Sequence, residues 1–276
     1  MGWLNRKGTQ AMEKTPVRRT SPAPAFLSRS TALATDYHVF VEAPDASRHP
    51  GPWPVAVVVD GDYMFAPLVQ AAAKLRSSAR LHPPLPPVLL VGVGYGKSFG
   101  DPANRRGRDY TPTASAEEPG SGGADAFLAH LTGPLWAELA RRYPVRNDLR
   151  LLAGHSLGGL FALHALFQPR PFFNRVLVGA PSLWWDDHRF LSRVARRQQE
   201  IPLQAPRHPP PAPVRLFLGI GAEDTESMTG DLARFERQLA ESPIPGLETV
   251  SRTFPRHDHY NVLPRLFHDG LAALLR

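Results

Sequence analysis

Short apolar runs, most of them rich in β-branched residues, recur through this chain and limit its fold more than any other feature. They occupy residues 55–59, 88–93, 149–153, 176–178 and 214–220. Continuous runs of that length fit strands covered on both faces, as in a parallel sheet. Two further strands are read at residues 33–42, where Tyr37, Val39 and Val41 alternate loosely, and at residues 248–254. Helical spacing separates the runs: Leu68, Ala71, Ala72 and Leu75 within residues 67–77, and Phe127, Leu128, Leu131, Leu135 and Leu139 within a single helix over 124–143. Helices are also expected at residues 157–167, 190–199, 230–239 and 262–275. Strand and helix therefore alternate, which predicts an α/β protein with a mostly parallel, doubly wound sheet flanked by helices.

With 276 residues, 42% of them hydrophobic, the chain suits one domain over residues 26–276. Residues 1–25 are polar, basic and proline-bearing, and read as a disordered lead-in. The proline tracts at 83–87 and 209–213 read as surface connections. The loop over residues 94–123 is long enough to be expected to serve function.

Composition removes several chemistries. There is no cysteine, so disulfides, thiolate metal sites and a cysteine nucleophile are excluded. The formal charge of +7 comes from scattered arginines, paired at 18–19, 105–106, 141–142 and 196–197. No run reaches the length of a nucleic-acid-binding tail. A solvated arginine-rich surface is the plain reading and an anionic substrate the alternative; neither a nucleic acid nor a membrane is expected as partner. No apolar stretch approaches membrane-spanning length. No apolar segment follows the basic start, and Arg6 stands where a myristoylation signal after Gly2 needs Ser or Thr, so a cytoplasmic protein is expected.

Gly154-His155-Ser156-Leu157-Gly158 has the G-x-S-x-G pattern, entered by an apolar strand and left by a helix. Such a turn lifts the Ser156 hydroxyl above the sheet edge. A serine hydroxyl is a poor nucleophile at neutral pH and needs a base. Where this turn carries the nucleophile, an acid and then a histidine follow along the chain. The strand at 214–220 runs into Glu223 and Asp224; Asp224 is the first choice of acid and Glu223 the alternative. The strand at 248–254 runs into His257, Asp258 and His259. His259, nearest the closing helix, is the expected base, with His257 as competitor. The His-Asp-His run also raises metal binding, but no other clustered ligands accompany it, and neither metal nor cofactor is expected. The oxyanion of an acyl-transfer intermediate needs backbone donors. Leu157 N–H is the first, and the turn after residues 55–59 offers Asp62 N–H with Gly61.

With these residues in place the chain resembles an esterase family of α/β hydrolases. That family takes in enterochelin esterases, other tricatecholate siderophore esterases, S-formylglutathione hydrolases and mycolyl transferases. The resemblance covers residues 26–276 and is nearest to the siderophore (enterochelin and ferri-bacillibactin) esterase branch. It rests on the Asp60-Gly61 turn, Arg105-Arg106-Gly107-Arg108-Asp109-Tyr110-Thr111-Pro112, Gly154 to Gly159, Pro181-Ser182-Leu183-Trp184-Trp185, and the ending Phe254 to His259. It implies the α/β-hydrolase fold, His259 as base and Asp224 at the acid's position. It also implies a cofactor-free serine esterase working through an acyl-enzyme on a catecholate trilactone or related aromatic ester. Arg105, Arg106 and Arg108 are then candidates to bind anionic oxygens, and Tyr110, Trp184 and Trp185 to stack on aromatic groups. An acyltransferase or thioesterase using the same site is the nearest rival. A binding protein that has kept the fold without the chemistry is a rival of another class.

Overall fold

The structure is a computed structural model and describes residues 23–78, 84–203 and 213–276. Expectations for residues 1–22 and for most of the 209–213 tract lie outside the described residues.

The strands are β1 (Phe26–Ser30), β2 (Thr35–Glu42), β3 (Trp53–Val59), β4 (Leu89–Gly94), β5 (Val145–His155), β6 (Arg175–Gly179), β7 (Val214–Gly221) and β8 (Leu247–Phe254). They form one sheet in the order β1-β2-β4-β3-β5-β6-β7-β8. The strands from β4 to β8 run parallel, while β2 joins β4, and β1 joins β2, antiparallel. β3 shows why the run at 55–59 has no polar alternation. Val55, Val57 and Val59 enter one core and Ala56 and Val58 the other, and all five are buried.

The helices are α1 (Gly61–Arg76), α2 (Arg106–Asp109), α3 (Ala124–His130), α4 (Trp136–Arg142), α5 (Leu157–Leu166), α6 (Trp185–Leu203), α7 (Glu226–Glu241) and α8 (Leu263–Leu274). α1 and α8 cover one face of the sheet through Leu68 and Leu271. α3 to α7 cover the other through Phe127, Leu139, Phe161, Val194 and Phe235. Among the described residues no helix is long and apolar enough to cross a membrane.

Three local readings need correction. β1 escapes a period-2 reading because its polarity is inverted: Ser28 and Ser30 are buried while Leu27 is 58% exposed. Ser28 remains inside because its hydroxyl meets His130 Nε2 at 3.1 Å. The single helix expected over 124–143 is two helices joined by a π-helical turn, Leu131–Leu135. Pro134 has no N–H for the i−4 carbonyl and its ring crowds that carbonyl, so the turn widens there. α1 begins at Gly61, well before residue 67.

Parallel strands end on the same edge of the sheet. The segments that follow β3, β5, β7 and β8 therefore converge there, which is where open α/β sheets place their sites.

Candidate active site

β5 stops at His155 and α5 starts at Leu157, so Ser156 alone makes the turn. Its φ of 59° and ψ of −123° cost a non-glycine residue on the order of 1–3 kcal/mol. Neighbours impose that conformation. Ser156 N–H donates to the Gly179 carbonyl at 2.9 Å, and Ser182 N–H donates to the Ser156 carbonyl at 3.1 Å. Gly154 is required because a Cβ there would lie 2.0 Å from the Gly158 carbonyl oxygen. The Ser156 Oγ lies 3.3 Å from the Oγ of buried Ser182.

The ends of β7 and β8 are tied together past the sheet. Ala222 N–H donates to Phe254 O and Glu223 N–H to His257 O, each at 2.9 Å. Across this join His259 Nδ1 meets Asp224 Oδ2 at 2.8 Å. The Asp224 side chain is 1% exposed and that of His259 23%. Of the two candidate acids, Asp224 holds the imidazole, while Glu223 is exposed. His257 turns away and bonds through Nδ1 to Pro255 O at 2.7 Å. Asp258 accepts the N–H groups of Tyr260 and Asn261, which hold its carboxyl below the usual range. Its oxygens serve this loop, and among the described residues no three His, Asp or Glu side chains gather as metal ligands.

The His259 ring lies 4.5 Å, centroid to centroid, from that of His155, the residue before Ser156. The serine and the Asp224–His259 pair thus share one corner of the sheet edge. His155 is buried beside His259. Burial first, then the His259 imidazole, push its pKa down to about 3, so it stays neutral beside His259.

Leu157 opens α5, and Leu160 N–H is the one that bonds back to Ser156 O, at 3.0 Å. The Leu157 N–H therefore sits in a first helical turn, where donors lack intrahelical acceptors and the helix dipole favours negative charge. α1 opens likewise at Gly61 and Asp62, after Asp60 in a left-handed conformation (φ 54°). A Cβ on Gly158 would lie 3.4 Å from Asp60 Oδ2, so the two helix starts are close neighbours. The Asp62 carboxylate accepts Tyr95 N–H at 2.6 Å and Gly96 N–H at 3.0 Å.

Several of the residues proposed to meet substrate are tied into the framework instead, two of them at this turn. Arg106 gives Nε and Nη2 to the two oxygens of buried Asp60, at 3.1 and 3.0 Å. Tyr110 is wholly buried, and its hydroxyl accepts Asp60 N–H at 2.9 Å. Arg108 bonds to Asp109, Leu33 O and Thr35 Oγ1. Buried Asp109 also accepts the hydroxyls of Tyr37 and Tyr95. Arg106, Arg108 and Tyr110 are therefore framework groups. Arg105 is exposed. Trp185 is 6% exposed and donates Nε1–H to Thr113 O at 3.1 Å, with Trp184 partly exposed beside it. Sequence reasoning quoted Asp60, Asp109, Ser182 and His155 within motifs but missed the contacts they make. A lone carboxylate followed dozens of residues later by an arginine is the only signal that the Asp60–Arg106 pair leaves in the sequence.

The sheet order, with one antiparallel strand inside a parallel array and a serine elbow after β5, defines an α/β-hydrolase fold. Residues 30–258 match the family described as "Putative esterase". The chain belongs to that family and hydrolyses ester bonds. It is 28% identical over 262 residues to the "Ferri-bacillibactin esterase BesA" of Bacillus subtilis, covering 87% of this chain and 84% of the relative. It is 32% identical over 180 residues to the "Siderophore triacetylfusarinine C esterase" of Aspergillus fumigatus, covering 61% of this chain and 60% of the relative. The crystal structure of the BES protein from Bacillus cereus superposes with a TM-score of 0.78 at 25% identity, covering 96% of this chain and 98% of that one.

Proposed function

We propose that the protein hydrolyses a siderophore-type ester through an acyl-enzyme on Ser156, with His259 as general base and Asp224 as its orienting acid. The observation that carries this reading is the 2.8 Å bond between His259 Nδ1 and buried Asp224. A carboxylate on Nδ1 keeps the proton there and leaves Nε2 as the basic nitrogen. Nε2 takes the Ser156 proton as Oγ attacks the ester carbonyl, and the carbonyl electrons move onto oxygen. The first-turn N–H groups of α5 and α1, Leu157 with Gly61 or Asp62, receive that oxyanion. The imidazolium, stabilised by Asp224, then protonates the leaving alkoxide. Water activated by His259 repeats the sequence and frees the acid.

The substrate class rests on the relatives, whose names describe esterases of siderophores, a ferric bacillibactin complex and triacetylfusarinine C. Exposed Arg105 and the Trp184 ring are the groups left to meet such a ligand. The test is hydrolysis of simple aryl esters, a thioester and a catecholate trilactone by wild type and Ser156→Ala. The trilactone should be cleaved with the highest kcat/KM, and the variant should lose at least about 10³-fold on every ester. Equal turnover by both proteins removes Ser156 from the mechanism. A thioester cleaved in preference to the trilactone overturns the substrate class.

A further inference from the structure

α6 carries Arg189, Arg193 and Arg196, spaced i, i+4 and i+7, so three guanidinium groups share one helix face. Pro112 and Thr113 stand opposite. The cleft between has a volume of about 410 Å³ and is lined also by Trp185, Phe190 and Ser192. That is within the size range of small-molecule sites.

The charge in this cleft is only partly compensated. Arg189 Nε lies 3.0 Å from Asp186 Oδ2. Arg193 donates from Nη1 to His164 Nδ1 at 2.8 Å. A guanidinium has no acceptor to offer, so His164 Nδ1 carries a lone pair and its proton sits on Nε2, which faces Asp125 Oδ1 at 2.8 Å. Burial and the Arg193 charge both favour the neutral ring. His164 thus orients Arg193 without adding charge, and the Asp125 carboxylate beyond it favours the charged guanidinium. Asp186 thus pairs with Arg189 and the Asp125 charge acts on Arg193, which leaves Arg196 as the cation of the three without an ion pair among the described residues.

The floor is fixed. Trp185 is anchored by its bond to Thr113 O, and Phe190 packs edge-on to Phe167 with centroids 5.9 Å apart. Between Trp185 and Arg189 the chain makes a left-handed turn: Asp186, Asp187 and His188 have φ of 48°, 51° and 59°. Non-glycine residues pay roughly 1–2 kcal/mol each for that conformation. His188 bonding to Asp231 at 2.9 Å helps to hold it. The turn keeps an aromatic floor and a cationic wall on the same cleft.

We infer that this cleft binds an aromatic carboxylate, its ring against Trp185, Phe190 and Pro112 and its acid group between Arg193 and Arg196. Flat ring and anion are recognised together, by apolar contact and by paired guanidinium donors. Binding here needs no reaction at Ser156, so it is tested on the full chain carrying Ser156→Ala, and its outcome is independent of ester hydrolysis.

The experiment titrates benzoate, inorganic phosphate and benzyl alcohol calorimetrically, with tryptophan fluorescence as second readout. Benzoate should bind at one site, at least tenfold tighter than either of the others. Adding Arg189→Ala and Arg196→Ala, both at exposed positions, should weaken benzoate at least tenfold while the melting temperature stays within a few degrees. Arg193→Lys, which keeps the charge and loses the fork, gives a second variant and should also weaken it. Absence of saturable benzoate binding overturns the proposal, as does unchanged affinity in both variants. Phosphate binding as tightly as benzoate also overturns it, because the cleft is then only a charged patch.

Discussion

Asp224 and Glu223 are neighbours with the same functional group, yet only one touches the imidazole. Past the end of β7, Asp224 is turned inward, 1% exposed, with Oδ2 on His259 and Oδ1 on Thr225 N–H. Replacing it by Asn offers the ring an amide and removes the charge that steadies the imidazolium. We expect Asp224→Asn to lose about 10³–10⁴-fold in kcat, and Glu223→Gln to stay within about twofold, measured on one aryl ester. A large loss in Glu223→Gln with an active Asp224→Asn would reverse the assignment. The turn at Ser156 and the loops that bring Asp224 and His259 together were legible in the sequence because each comes after a recognisable strand. Asp224 was preferred to Glu223 there, but its inward turn could not be read from local pattern, because a loop's inward and outward positions have no period.

The segment from the end of β4 to the start of α3 teaches the opposite lesson. As a sequence it reads as a long arginine-bearing loop free to meet a ligand. In the structure it is fastened down by buried polar pairs: Arg106 on Asp60, Arg108 and two tyrosines on Asp109. Arg106 and Asp60 stand 46 residues apart, and nothing local announces which carboxylate an arginine will find. Arg106→Met would strand the Asp60 carboxylate without a partner. That should cost about 3–5 kcal/mol of stability, read as a lower urea midpoint, along with loss of activity. A variant of normal stability with only a raised KM would return Arg106 to the substrate.

At the scale of the molecule, the sheet and its two-sided cover were legible, because strands buried on both faces print themselves as unbroken apolar runs. The outermost β1 was not, since its inward residues are serines. Among the described residues the interior also encloses His130, His155 and His164, and burial pushes the pKa of each down. The unfolded chain therefore takes up protons below about pH 6.5 that the folded protein refuses. Stability is full above that pH and falls on acidification. For His155 the loss continues down to about pH 3, on the order of 1 kcal/mol per pH unit. His155→Leu should flatten the acid side of a melting-temperature profile, with His130 and His164 supplying what slope remains. Parallel profiles for the two proteins would exclude His155 as a source of acid sensitivity.

The two backbone bonds that join Ala222 and Glu223 to the chain after β8 prolong the pairing of the last two strands beyond the sheet. Under the mechanism proposed above, proton acceptor and orienting acid are thereby carried on one joined edge, and a single join sets where the couple stands relative to the hydroxyl.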